Sequence, residues 1–160
     1  MPFHDSRLGP GTLLLGTAPG EEYGFQVSAL TLTPALNSTD GTPTLAVPAP
    51  APESTTTWSL DGSAINDFEA VTGLQRYAYE QDGATVDFVW TPNSEAGAPT
   101  PAVLTGQLQL HAFPMGGNVG EQLVTDFSWP CVGKPAWTGG VAALEADVEA
   151  SSKRGSKAAR

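Results

Sequence analysis

The chain has 160 residues, a length that suits one domain with a small core. Its 17 acidic residues all precede Lys153, where only Arg7, Arg76 and Lys134 are basic, so residues 1–152 carry a formal −14 and the last eight residues +4. An acidic body repels nucleic acid, and a lone cysteine, Cys131, leaves no internal disulfide and no cysteine metal cluster.

Gly (18) and Pro (14) are scattered without a period, which predicts many turns between short strands. Residues 1–10 read as extended or mobile, and MPFHDSRLGP lacks the basic-then-apolar pattern of a secretion signal. GTLLLG (11–16) reads as a first short strand, and its apolar run is far too short to cross a bilayer. YGFQVSALTLTP (23–34) reads as strand, with Phe25, Val27 and Ala29 on one face and Leu30 and Leu32 on the other. That flip of parity is what a β-bulge or a change of packing partner produces. Residues 37–54 are rich in Pro, Ser, Thr and Gly and read as a long loop, either a mobile spacer or an arm that orders against a neighbour.

TTTWSL (55–60) is a β-branched strand that the turn pair Asp61-Gly62 should end. Ile65, Phe68, Val71 and Leu74 recur every three residues, so a short helix is expected there, capped by Asn66 or Asp67. RYAYE (76–80) then turns extended, and Gln81-Asp82-Gly83 signals a hairpin into ATVDFVW (84–90), whose Val86, Phe88 and Trp90 share a face. AVLTGQLQLHAF (102–113) and QLVTDFSW (122–129) alternate again, and Pro130 should disturb the pairing. Residues 141–160 read as a flexible, basic tail. The expected architecture is mainly β, a sandwich or barrel of about six to eight strands with one short flanking helix and long loops. The expected core holds Phe25, Val27, Trp58, Phe68, Phe88, Trp90, Leu108, Leu110, Phe127 and Trp129.

Chemistry is thin. His4 and His111 are far apart, and no motif for a metalloprotease, a nucleophile elbow or a phosphate loop occurs. DGSAIND (61–67) places Ala64 and Ile65 where a calcium loop needs oxygens. Cys131 near Lys134 is the sharpest enzyme-like pairing, yet no base adjoins it and a single cysteine is most often a packed apolar residue. No catalytic, metal or cofactor residue is assigned, and no enzyme activity is expected.

One order of motifs carries more information. Val27 to Pro34 is followed by the long loop, then by Trp58-Ser59-Leu60-Asp61-Gly62, Asp67-Phe68-Glu69, Gly73-Leu74-Gln75 and Val86 to Asn93. The chain closes on Asp126-Phe127-Ser128-Trp129-Pro130-Cys131-Val132-Gly133-Lys134-Pro135. Over residues 23–138 this resembles the major tail tube proteins of long-tailed bacteriophages, with Phe-Ser-Trp-Pro-x-x-Gly-Lys-Pro as its most specific part. The resemblance implies a tail-tube-like β domain over residues 1–140, with 1–22 as an N-terminal arm or first strand, and a separate tail at 141–160. It implies six copies joining their sheets into a ring, rings stacking into a tube, a tape-measure protein filling that tube, and genomic DNA passing without specific binding. The protein would be made in the host cytoplasm, carry no membrane anchor and end in the virion tail. Lys134, Trp137, Thr44, Leu45, Val47 and Pro48 are the expected interface residues, with Lys134 bridging to an acid within the subunit or across a ring contact. The competing expectations are another virion component, such as a head-tail connector or capsid decoration protein, and a monomeric β-sandwich that binds carbohydrate through its tryptophans.

Overall fold

A computed structural model describes residues 8–39, 45, 52–94 and 101–139. The elements in chain order are β1 (Thr12–Leu15), β2 (Glu21–Glu22), a 3-10 turn (Gly24–Gln26), β3 (Val27–Thr39) and β4 (Glu53–Ile65). They continue with α1 (Leu74–Glu80), β5 (Thr85–Thr91), β6 (Val103–Gln109), β7 (Val124–Pro130) and β8 (Ala136–Thr138). The strands form a five-stranded sheet, ordered β2-β1-β5-β6-β8, and a three-stranded sheet, ordered β3-β4-β7. The described residues are thus mainly β with one short helix. It divides into two compact units, one holding β1, β2, most of β5, the start of β6 and β8, the other holding β3, β4, α1, β7 and the end of β6.

The three-stranded sheet is built on a strict alternation. Leu30 and Leu32 of β3, Leu60 of β4 and Trp129 of β7 fall on one face, opposite Thr31, Thr33, Ser59, Asp61 and Ser128 on the other. Leu60 and Trp129 are fully buried, and Leu30, Ala64 and Phe127 nearly so. Phe127 stacks on Trp129 with centroids 4.1 Å apart, and Phe113 tilts against both rings. The indole N–H of Trp129 donates to the carbonyl of His111 at 2.8 Å, so its polar atom is satisfied inside the core. In the other unit Leu13 and Leu15 of β1 lie across from Trp90 and Phe88 of β5, and Leu13, Leu15, Phe88 and Tyr23 are buried.

Several local expectations fail for physical reasons. β4 runs straight through Asp61-Gly62, because Gly62 serves close packing and not a turn: a Cβ there would meet Ala29 O at 2.5 Å and Phe127 Cζ at 2.6 Å. The register shift of β3 lies between Val27 and Ala29, so Ala29 belongs to the polar face and does not share Val27's. β3 and β4 extend to Thr39 and back from Glu53, so both ends of the expected 37–54 loop are paired strand. Pro34 and Pro130 are tolerated because β3 and β7 are both edge strands.

The helix is displaced. Residues 66–73 form turns, and RYAYE lies in α1, not in a strand. The carboxylate of Asp67 accepts the N–H groups of Glu69 and Ala70, which caps a turn and not a helix. The helix itself starts at Leu74, whose N–H donates to Gln26 Oε1 at 2.6 Å. Gln81 to Gly83 therefore links helix to strand instead of closing a hairpin, with Gly83 at φ 81°.

Phe25 and Phe68 are not core residues. Phe25 sits in the 3-10 turn and Phe68 in the turn before α1, and they are 69% and 62% exposed. Val27, Trp58 and Trp90 are half-buried, whereas Phe88, Leu108, Leu110, Phe127 and Trp129 are buried.

Two substitutions test this packing by urea unfolding. Trp129→Ala is expected to cost about 3–5 kcal/mol, through lost burial and the cavity left behind. Gly62→Ala is expected to cost about 1–3 kcal/mol although it adds only a methyl; a cost near zero would show that β4 can shift away from Phe127.

Candidate assembly interface

The surface with most unspent chemistry lies on and around the three-stranded sheet. Its outward face carries Thr31 and Thr33 from β3, Ser59, Asp61 and Ser63 from β4, and Asp126 and Ser128 from β7. This face presents two carboxylates and a row of hydroxyls without a lysine or arginine among them. Ser59 and Ser128 donate to opposite oxygens of Asp61, and Ser63 donates to Asp126. Burial pushes the Asp61 carboxyl up, but hydrogen bonds from Ser128, Thr33 and Ser59 outweigh it and hold the group below its ordinary value.

Charge elsewhere follows the same economy. Arg76 is spent on Glu80 at 2.7 Å, one helical turn away. Lys134 is exposed, and among the described residues no acid lies within ion-pair distance of it. The expected bridge of Lys134 inside the subunit is therefore not made among them. Asp82 accepts the N–H of Ala112 at 3.0 Å and lies 3.7 Å from His111 Nδ1.

The hairpin of β3 and β4 projects past its own sheet. β7 pairs with Ser59 to Ile65 of β4 and the chain just after it reaches Trp58, so residues 53–57 and 35–39 have each other alone. Every residue from Thr33 to Thr39 and from Glu53 to Thr57 is exposed, including Leu36 at 72%. Leu45, beyond the hairpin, is fully exposed, whereas Thr44, Val47 and Pro48 lie outside the described residues, as does the tail at 141–160. Trp137, on the short edge strand β8, is 71% exposed.

Cys131 is half-buried and free. Its N–H donates to the Trp58 carbonyl at 2.8 Å, continuing the β7 pairing past Pro130. Burial and the charge of Asp61 both push its thiol up, which favours the unreactive neutral form. Among the described residues no cluster of His, Cys, Asp and Glu has the arrangement of a metal site, and no helix is long and apolar enough to cross a membrane.

Comparison with solved structures gives this fold a context. The chain matches one in the tail of an empty GTA particle, determined with helical refinement and C6 symmetry, at a TM-score of 0.52 and 12% identity. It matches a chain in the virion of a native gene transfer agent (GTA) particle at a TM-score of 0.52 and 13% identity. In both cases 79% of this chain and 95% of the other are covered. At such identities the likeness is one of fold. No family model matches the chain, and no curated protein matches it.

Sequence reasoning singled out Lys134 and Trp137 but missed the exposed turn of Phe68 and Val71, which it assigned to a helix. The signal available was Asp67, whose short side chain two and three residues before backbone N–H groups is a turn former.

Asp61 supplies a pH test. A carboxyl held below its ordinary 3.8 contributes stability that is complete above that value and is lost as pH falls through the lower folded value. Asp61→Asn should therefore cost stability at about pH 6 and lose most of that deficit near about pH 2. An equal deficit at both, measured by urea unfolding, would assign the residue's effect to shape instead of charge.

Proposed function

We propose that this chain is a structural subunit of a phage-like tail tube, assembling into six-membered rings that stack around a channel for DNA ejection. The observation that carries the reading is the fold shared with a chain of a C6-symmetric particle tail, over nearly all of that chain. Two further features support it. The face of Asp61 and Asp126 is acidic and free of lysine and arginine, a surface along which DNA slides without being held, and we assign it to the channel. The distal hairpin is a two-stranded ribbon without cover, a form that is marginal alone and gains stability when a neighbour packs on it.

In this reading residues 1–140 act as one tail-tube-like domain, with 141–160 as an appended basic tail. The subunits are made in the host cytoplasm and end in the virion. The partners are further copies of the chain, a tape-measure protein and other tail components, and the chain is not an enzyme. A glycan-binding module is less well supported: Trp129 is fully buried and Trp58 and Trp90 half-buried, so Trp137 alone among the tryptophans is freely presented.

Negative-stain microscopy of the concentrated protein is expected to show rings or tubes with sixfold symmetry. A species that stays monomeric at all concentrations would refute the reading, and rings of another order would favour a connector. Replacing residues 41–51 with a short Gly-Ser turn is expected to leave the circular dichroism spectrum unchanged and to weaken tube formation. Unchanged tubes would make the segment a spacer, not an arm.

A further inference from the structure

The turn between β4 and α1 is a prepared knob. Phe68 and Val71 are 62% and 71% exposed, and Glu69 beside them is exposed too. The turn is anchored at both ends. Asn66 donates its backbone N–H to Leu123 O at 2.9 Å and its side-chain amide to Thr125 at 2.7 Å. At the other end Leu74 is tied to Gln26. Between them Asp67 holds the backbone of Glu69 and Ala70. Apolar side chains presented on an ordered turn lose little conformational freedom on docking.

A second patch carries the complementary charge. After β7 come Val132, 56% exposed, and Lys134, exposed and without an acid partner among the described residues. Among the described carboxylates only Glu53 and Glu69 lack any hydrogen bond or ion pair. Glu53 is the first residue of β4, on the exposed distal hairpin. Each patch is thus a small apolar surface with one unspent charge, and the two charges are opposite.

Their placement decides which molecule brings them together. The knob adjoins the start of β7, where Ile65 pairs with Val124, and the Lys134 segment follows its end, where Ser59 pairs with Pro130. Seven residues of strand separate the two patches by roughly 20 Å. No ion pair joins Lys134 to Glu69 of its own chain. Two different patches at opposite ends of β7 are what a head-to-tail contact requires, and such contacts form a ring when the rotation between copies closes.

We propose that the Phe68–Glu69–Val71 turn docks on the Val132–Lys134 segment of a second copy of this chain, with Glu69 facing Lys134 across the contact. The proposal rests on the ring reading above and names the surfaces that make the ring. Sedimentation of the parent chain, Glu69→Lys, Lys134→Glu, the double variant and a one-to-one mixture of the two single variants tests it, with circular dichroism as the check on folding. Each single reversal is expected to raise the concentration needed for assembly by about tenfold or more. The double variant is expected to recover, and so is the mixture, in which each mutant surface meets its opposite on the other molecule. Assembly of the single variants as readily as the parent overturns this contact and leaves the ring reading standing. Loss without recovery in both the double variant and the mixture overturns the pairing of these two residues. A parent chain that never assembles overturns the ring reading itself. If a reversal unfolds the chain, Glu69→Gln and Lys134→Gln take its place: losses that fail to add in the double variant support the pair, and additive losses overturn it.

Discussion

Strand β4 is the constraint on which its unit depends. It is the central strand of the three-stranded sheet, so over residues 59–64 both of its edges are taken and its register cannot slip without breaking two ladders. Its even-numbered residues, Leu60, Gly62 and Ala64, lie under Phe127 and Trp129, and its odd-numbered ones, Ser59, Asp61 and Ser63, face outward. A slip of one residue would put Asp61 against the aromatic cluster and Leu60 in water. The aromatic packing and the hydroxyl-carboxylate face are therefore two consequences of one alternation.

The same alternation answers the problem of an acidic chain. With few cations to spend, the fold stabilises carboxylates through neutral donors: serine hydroxyls on Asp61 and Asp126, backbone N–H groups on Asp67 and Glu22, a tyrosine hydroxyl on Glu21. Such bonds satisfy the carboxylate oxygens while removing the need for a partner ion. The face of Asp61 and Asp126 stays negative, which suits the channel lining proposed for it. An unspent charge of either sign then becomes informative, which is why Lys134 and Glu69 stand out.

Much of the fold was legible because strands announce themselves by period. The alternation in 84–90, 102–113 and 122–129 placed β5, β6 and β7, and the parity flip near Ala29 announced the bulge in β3. The failures share a cause, which is that distant residues decided the local outcome. The three-residue spacing of Ile65, Phe68, Val71 and Leu74 imitated a helix, but the true start is fixed by Gln26, far earlier in the chain. Asp61-Gly62 imitated a turn, but the glycine is needed because Phe127 comes so close. The polar stretches 37–39 and 53–54 imitated loop because strand pairing, and no buried face, holds them in register. For the interface, Lys134 was visible as a rare positive charge. Glu69 was one acid among many until the donors to the others were known.

The distal hairpin joins this fold to its proposed role. In the shared half of β4 each residue is held by two ladders and a core. In the half beyond Trp58 it has one ladder and no core on either face. A ribbon of that kind loses backbone entropy with little apolar burial in return. Leu36 sits on the same side of β3 as Leu30 and Leu32, continuing the apolar stripe past the point where β7 stops pairing with β4. The stripe is one surface, half covered within the subunit and half left bare. A neighbour packed on the bare half would extend the core of the subunit into the contact, so that completing the fold and joining the assembly become the same event.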